Sequence, residues 1–184
     1  VLITTFFMRS SQISAIAVAN ECLAKGIPVA ISLSSPSAIE SEAWSTLLSI
    51  LRTSQIVFGN KVEIACLAKQ LGFDEAKTIE EMTKAIADYA SPRLPRTVVV
   101  TQGKDRVIAC VTKEQTISIP VLPIDPSEIK DTNGAGDSFA GGFLAYFSKG
   151  ALLETYIKAG IYSSGCNLRQ KGCTMPEYLP TFQE

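Results

Sequence analysis

Histidine is absent from this 184-residue chain. That removes Ser-His-Asp and Cys-His mechanisms and every zinc site built on imidazole. Paired cysteines are also missing. Cys22, Cys66, Cys110, Cys166 and Cys173 are odd in number, scattered, and never spaced C-x-x-C. They read as reduced thiols packed as small hydrophobes, in an intracellular setting. Charge of one sign is lacking too. Seventeen basic residues face 18 acidic ones, and no basic block occurs, so a nucleic-acid partner is not expected. No apolar run reaches the length of a membrane span. No charged segment precedes a signal-like apolar core, so secretion is not expected either. There is no internal repeat and no low-complexity tract. Even an initial methionine is absent: the chain opens on Val1, inside what reads as a strand.

What is present is ordinary for a globular protein: 46% hydrophobic and 19% charged residues, enough for one domain with a sizeable core. Residues 1–7 are β-formers and read as a buried strand. Ser10 and Ser11 can cap a helix on which Ile13, Ile16, Ala17, Asn20 and Leu23 recur at helical spacing, with Gly26 at its end. Residues 28–33 form the next apolar run, which completes a strand–helix–strand unit and points to a parallel sheet. A helix is expected over 40–52, with Ile39, Trp44, Leu47, Leu48 and Leu51 on one side, followed by a strand at 55–58.

Gly59-Asn60-Lys61-Val62-Glu63 ends that strand and opens a helix running to Leu71-Gly72. Asn60 and Glu63 share a face of its first turn. They read either as an N-cap with its capping-box glutamate or as ligand groups at the C-terminal end of a strand. Thr78, with Glu81, caps a helix over 78–90, and 91–95 is a proline-bearing connector. The β-branched run 97–100 reads as a central strand that ends in Thr101-Gln102-Gly103-Lys104-Asp105. Gly103 is either a plain turn glycine or one that lets a nucleotide approach the backbone. Residues 107–111 and 115–119 read as a hairpin through Lys113-Glu114, and 120–126 as extended. A last helix carries Leu152, Leu153, Tyr156, Ala159, Gly160 and Ser163. Its small residues serve close helix packing or leave room for a flat ligand. Lys171-Gly172-Cys173-Thr174 ends the fold, ahead of a polar tail.

The chemistry concentrates in Asp131-Thr132-Asn133-Gly134-Ala135-Gly136-Asp137-Ser138-Phe139-Ala140-Gly141-Gly142. Apolar positions follow at once, so the N–H groups of Gly134, Ala135 and Gly136 fall at a helix N-terminus. Those groups lack intrahelical partners and lie at the positive end of the dipole, which suits a phosphate. The stretch has no Walker lysine, and Phe139 stands where a dinucleotide fingerprint needs its third small residue. Asp137 would repel a bound phosphate, but it suits a base that takes a proton from a hydroxyl attacking one. Mg²⁺ is then implied to bridge phosphate oxygens, with Glu63 organising it through water. The purely structural reading has Asp131 capping the helix and Asp137 favouring its positive end.

The stretch 131–142 resembles the C-terminal signature of the ribokinase/PfkB carbohydrate kinase family, and Asn60-Lys61-Val62-Glu63 resembles its N-x-x-E motif. Phe58-Gly59-Asn60, Val100-Thr101-Gln102-Gly103-Lys104-Asp105, Asn133, and Gly172-Cys173-Thr174 with Pro176 are most similar to members whose acceptor is adenosine. The resemblance implies a ribokinase-like α/β fold with a mostly parallel central sheet flanked by helices on both faces. Residues 1–184 would be the C-terminal part of a single kinase domain, without its N-terminal half and lid. It implies ATP-dependent phosphorylation of the adenosine 5′-hydroxyl, a purine-salvage step giving AMP and ADP. Asp137 would be the base and Gly134, Ala135 and Gly136 the anion hole. Asn60 and Glu63 would act through Mg²⁺ and phosphate, while Thr101, Gln102, Gly103 and Asn133 would line the ATP site. Asp131 matches the position beside which relatives bind a monovalent cation such as K⁺. Adenosine and ATP are the expected partners, with no nucleic acid and no membrane. A monomer is expected, in the cytoplasm or nucleus. One departure stands out: Ile161 occupies a position where adenosine-specific members commonly have histidine near the adenine. Two other readings stay open, a sugar kinase of the same family and a non-catalytic nucleotide-binding module.

Overall fold

The computed structural model describes residues 1–73, 76, 78–90, 95–114, 116–174, 176, 181 and 182. The expected connector at 91–94, the start of the hairpin strand at Gln115 and most of the tail lie outside the described residues. Two compact units are present. One comprises Val1–Gln102 with Ile108–Ser118, the other Gly103–Val107 with Ile119–Glu184.

A six-stranded sheet runs in chain order: β1 (Leu2–Thr4), β2 (Ala30–Ser32), β3 (Ile56–Asn60), β4 (Thr97–Thr101), β5 (Arg106–Val111) and β6 (Ile117–Pro120). β1 to β4 pair in parallel, with Leu2 beside Ala30, Ala30 beside Ile56 and Ile56 beside Thr97. The buried runs Ile56-Val57-Phe58 and Val98-Val99-Val100 have the unbroken apolar character of strands covered on both faces. The crossovers carry α1 (Thr5–Ser10), α2 (Gln12–Ala24), α3 (Pro36–Ile39), α4 (Trp44–Leu51), α5 (Lys61–Gln70) and α6 (Ile79–Asp88). These helices pack on one another, α1 on α2 and α4, α3 on α5, and α5 on α6. Their inner faces join the strands in a core that includes Met8, Ile31, Leu47, Leu67 and Ile86.

Three expectations are corrected here. Residues 1–7 are not one strand. Thr4 accepts a hydrogen bond from the Phe7 N–H at 3.1 Å, and Thr5 Oγ1 donates to the Leu33 carbonyl at 2.6 Å. This local cap turns Phe6 and Phe7 into helix despite their β preference. Second, α2 buries Ala15, Ala19 and Cys22, whereas Ile13 is 86% and Leu23 52% exposed. The small residues let α2 lie close against its neighbours, and the larger apolar stripe faces outward. Third, the helix expected over 40–52 is shorter. Ser35 caps a separate turn by accepting from the Ala38 N–H, with Pro36 in its first position, and α4 begins only at Trp44.

Arg96 closes the first unit. Its side chain is fully buried. Nε donates to the Ser54 carbonyl at 3.3 Å and Nη2 to Leu51 at 2.6 Å. Nη1 donates to both Ile86 and Tyr89 at 2.9 Å. Those carbonyls belong to the C-terminal ends of α4 and α6, where intrahelical donors run out and the dipole is negative. Burial lowers the guanidinium pKa to about 10, so it stays charged at neutral pH.

The second unit is built on α7 (Ala135–Phe147) and α8 (Leu153–Leu168). A Cβ at Gly142 would lie 2.5 Å from the Ala159 carbonyl oxygen and 2.8 Å from Ser163 Cβ, and one at Gly160 would lie 2.8 Å from the Phe139 ring. The small residues of α8 therefore serve close packing, the first of their two readings. Phe143 and Phe147 then meet Tyr156 edge-on, with ring centres 5.2 and 5.7 Å apart.

Candidate active site

In the second unit, α7 begins where it does because of Gly134. Gly134 is the N-cap, at φ 77° and ψ −1°, a left-handed conformation that glycine adopts without strain. A Cβ there would lie 2.5 Å from Cys173 Sγ, so glycine is required for space as well as for backbone. The first helical bond is Ser138 N–H to the Gly134 carbonyl at 2.8 Å. No side chain caps the helix. Ala135 donates back to the Thr132 carbonyl at 3.3 Å. The N–H groups of Gly136 and Asp137 have no intrahelical acceptor at this depth in a helix. Gly136 and Asp137 are exposed, and nothing lies within 4 Å of where a Gly136 Cβ would be.

Asp131 does not cap α7, so the purely structural reading of this carboxylate fails in that form. One oxygen accepts from the Asn133 N–H and the other from the Gly172 N–H, both at 2.9 Å. The backbone N–H groups of Asn133 and then Gly172 hold its carboxyl below the usual range. Lys130 N–H donates to the Leu168 carbonyl at 2.9 Å. Together these bonds tie the loop ahead of α7 to the end of α8 and leave the α7 N-terminus open. Asn133 itself is exposed.

In the first unit, Asn60 and Glu63 meet as both readings require. Asn60 Oδ1 accepts from the Val62 and Glu63 N–H groups at 2.9 and 3.0 Å. Glu63 Oε2 accepts from the Asn60 N–H at 2.9 Å, and Oε1 from Asn60 Nδ2 at 2.7 Å. The capping box is complete, and Glu63 is held nearly buried with both oxygens fixed. Asn60 is the register partner of Thr101. Two predicted site residues 41 positions apart thus stand side by side at the C-terminal ends of parallel strands, where ligands of open α/β sheets collect. Gln102 follows directly, and Gly103 turns the chain at φ 61° with open space around its Cβ position. Its backbone angle thus gives the turn reading a physical reason.

The fit to a divalent metal is an indirect one. Both Glu63 oxygens already accept hydrogen bonds, and among the described residues no three His, Cys, Asp or Glu side chains group to hold a metal. A hard cation held by one carboxylate through water, and otherwise by phosphate oxygens, is compatible with that donor set. Two residues beside the site were given no role by the sequence, although Cys173 belongs to the Gly172-Cys173-Thr174 stretch quoted above. Cys173 is exposed and lies against Gly134. Asn167 is 6% exposed, its Nδ2 is 3.5 Å from a Gly134 Cβ position, and its Oδ1 has no partner. A lone asparagine on the small-residue face of α8 was the only signal for the latter.

Across residues 1–180 the chain matches the family model described as pfkB family carbohydrate kinase. Adenosine kinase of Dictyostelium discoideum is 31% identical over 178 residues, which is 97% of this chain and 52% of that protein. Adenosine kinase 2 of Arabidopsis thaliana is 36% identical over 124 residues, 66% of this chain and 35% of the relative. The crystal structure of Anopheles gambiae adenosine kinase in complex with P1,P4-di(adenosine-5) tetraphosphate superposes with a TM-score of 0.86 at 31% identity. It covers 96% of this chain and 53% of that one. The chain spans about half the length of such relatives, or less.

Proposed function

The chain belongs to the pfkB family of carbohydrate kinases, and from that premise we propose that it supplies the nucleotide-binding and catalytic part of an ATP-dependent kinase for the 5′-hydroxyl of adenosine. The observation that carries this reading is the start of α7: a left-handed glycine N-cap, no capping side chain, and Asp137 exposed in the first turn. A helix that leaves its N–H groups uncapped is suited to an anion. An aspartate in the same turn is suited to accept the proton of an attacking alcohol. The names of the similar proteins, adenosine kinases, support adenosine as the acceptor.

In this mechanism Asp137 takes the 5′-hydroxyl proton as the oxygen attacks the γ-phosphorus of ATP, and ADP leaves. The N–H groups of Gly134 and Gly136, with that of Ala135 once it leaves the Thr132 carbonyl, would face the charge that moves onto the phosphate oxygens. Mg²⁺, when bound, neutralises phosphate charge; Glu63 and Asn60 would hold it through water. Thr101, Gln102, Gly103 and Asn133 would contact the nucleotide. Asp131 ties the loop, and a monovalent cation beside it would share oxygens that already accept N–H groups. A cytoplasmic place in purine salvage fits the free thiols.

Adenosine, ribose and fructose offered with ATP test the acceptor. AMP formation from adenosine alone is expected, and preferred phosphorylation of a sugar overturns it. Replacing Asp137 by Asn should lower kcat by about 10²–10⁴-fold with the melting temperature unchanged. Unaltered turnover in that variant removes Asp137 as the base. Because the chain spans about half of its relatives, a second reading is ATP binding without turnover by these 184 residues alone, which calorimetry and the same assay separate.

A further inference from the structure

We propose, on the reading of the α7 start as a phosphate site, that Asn167 is a positioning residue for that phosphate. Its side-chain amide pairs with the turn at Gly134 only when the phosphate is bound. The buried residues of α8 are Ile157, Ala159, Gly160 and Asn167, and among them Asn167 alone has a polar side chain. It is 6% exposed, and its Oδ1 accepts no hydrogen bond among the described residues. A buried amide oxygen left unpaired destabilises the state that contains it, whereas an apolar side chain of similar shape does not. Packing alone therefore gives no reason for an amide there. Its place gives one. Nδ2 lies 3.5 Å from where a Gly134 Cβ would be, and Cys173 Sγ lies 2.5 Å from the same point. The amide thus meets the N-cap of α7 from the α8 side.

The hydrogen bonds around this turn show which part of it can move. Lys130 N–H donates to the carbonyl of Leu168, the residue after Asn167, and Asp131 accepts from the Gly172 N–H, both at 2.9 Å. Those contacts fix the entry of the turn to the end of α8. Beyond them, Ala135 N–H reaches the Thr132 carbonyl only at 3.3 Å, a long bond. Gly134 stands beside it in the left-handed region, with no side chain to hold it. A phosphate that draws in the Ala135 N–H breaks the long bond and re-aims the Gly134 peptide next to Asn167. The re-aimed turn then offers an N–H to Oδ1, which is where a buried acceptor finds its partner. An acceptor unpaired in the free protein and paired in the complex favours the complex by the difference. The lone oxygen is thus a strain that phosphate relieves, and its bond sets the direction of the α7 N–H groups.

Calorimetric titration of ATP into the 184-residue chain tests this, with thermal melts of the free protein alongside. Asn167→Leu removes the unpaired oxygen. It should bind ATP about 10-fold more weakly, yet melt at the wild-type temperature or higher. Asn167→Val, a smaller side chain, is expected to behave alike and serves if leucine overpacks. Hydrogen exchange supplies a second readout. On adding ATP, exchange across 132–138 should slow in the wild type and much less in either variant. Wild-type ATP affinity in both variants overturns the proposal and leaves the α7 reading intact. If both variants also melt well below wild type, a permanently bound water is the partner of Oδ1. Affinity lost only in step with stability likewise overturns it, since the amide is then merely structural. No ATP binding by the wild-type chain overturns the α7 reading and the role of Asn167 with it.

Discussion

At Gly134 the backbone and the packing ask for the same residue. Its left-handed φ and the 2.5 Å gap to Cys173 Sγ exclude any side chain without a shift of the loop. Four of the thiols differ in more than position. Cys173 is exposed on this loop, Cys22 and Cys110 are buried, and at Cys66 burial, followed by the charge of Glu40, pushes the thiol up to about 11. A thiol must lose its proton to react. Brief alkylation near pH 8, followed by peptide mapping, should label Cys173 well before Cys66, with Cys22 and Cys110 protected until the protein unfolds. Labelling of Cys66 ahead of Cys173 would contradict this account.

Among the elements, α5 and the α7–α8 pair carry opposite kinds of constraint. The start of α5 depends on one side chain. Asn60→Ala removes the one oxygen that accepts both N–H groups, and with it half of the capping box, so urea unfolding should show a loss of about 0.5–2 kcal/mol. Asn60→Asp keeps an acceptor at that place but sets a second carboxylate against Glu63, so it separates the cap from any role of the amide in nucleotide binding. The α7–α8 contact depends on missing side chains. Gly142→Ala forces a methyl group onto the Ala159 carbonyl and should cost about 1–3 kcal/mol by overpacking. Gly141→Ala meets nothing within 4 Å and should be neutral or slightly stabilising, since alanine is the better helix former. Similar losses at both positions would show that the approach of α8 does not set the sensitivity.

For the whole molecule, the parallel order was legible because its β-branched runs and crossover helices repeat along the chain. The region before α7 was legible because glycine at a helix start and aspartate in its first turn are local chemistry. The Asn60–Glu63 pair was legible as well, since its geometry serves a cap and a site alike. What was not legible depended on distant groups. The apolar spacing of α2 was real, but spacing does not say which side its neighbours cover. Arg96, just past the proline-bearing connector, carried no local signal, because the carbonyls of Leu51 and Ser54 that receive it lie 45 and 42 residues away. That separation has a kinetic consequence. The guanidinium cannot be satisfied until the ends of α4 and α6 have both arrived, so its bonds belong to the late side of the folding barrier. In stopped-flow chevrons, Arg96→Met should steepen escape from the native state, raising the unfolding rate, while the refolding limb stays nearly where it was. A slowed refolding limb would instead place the arginine in the nucleus.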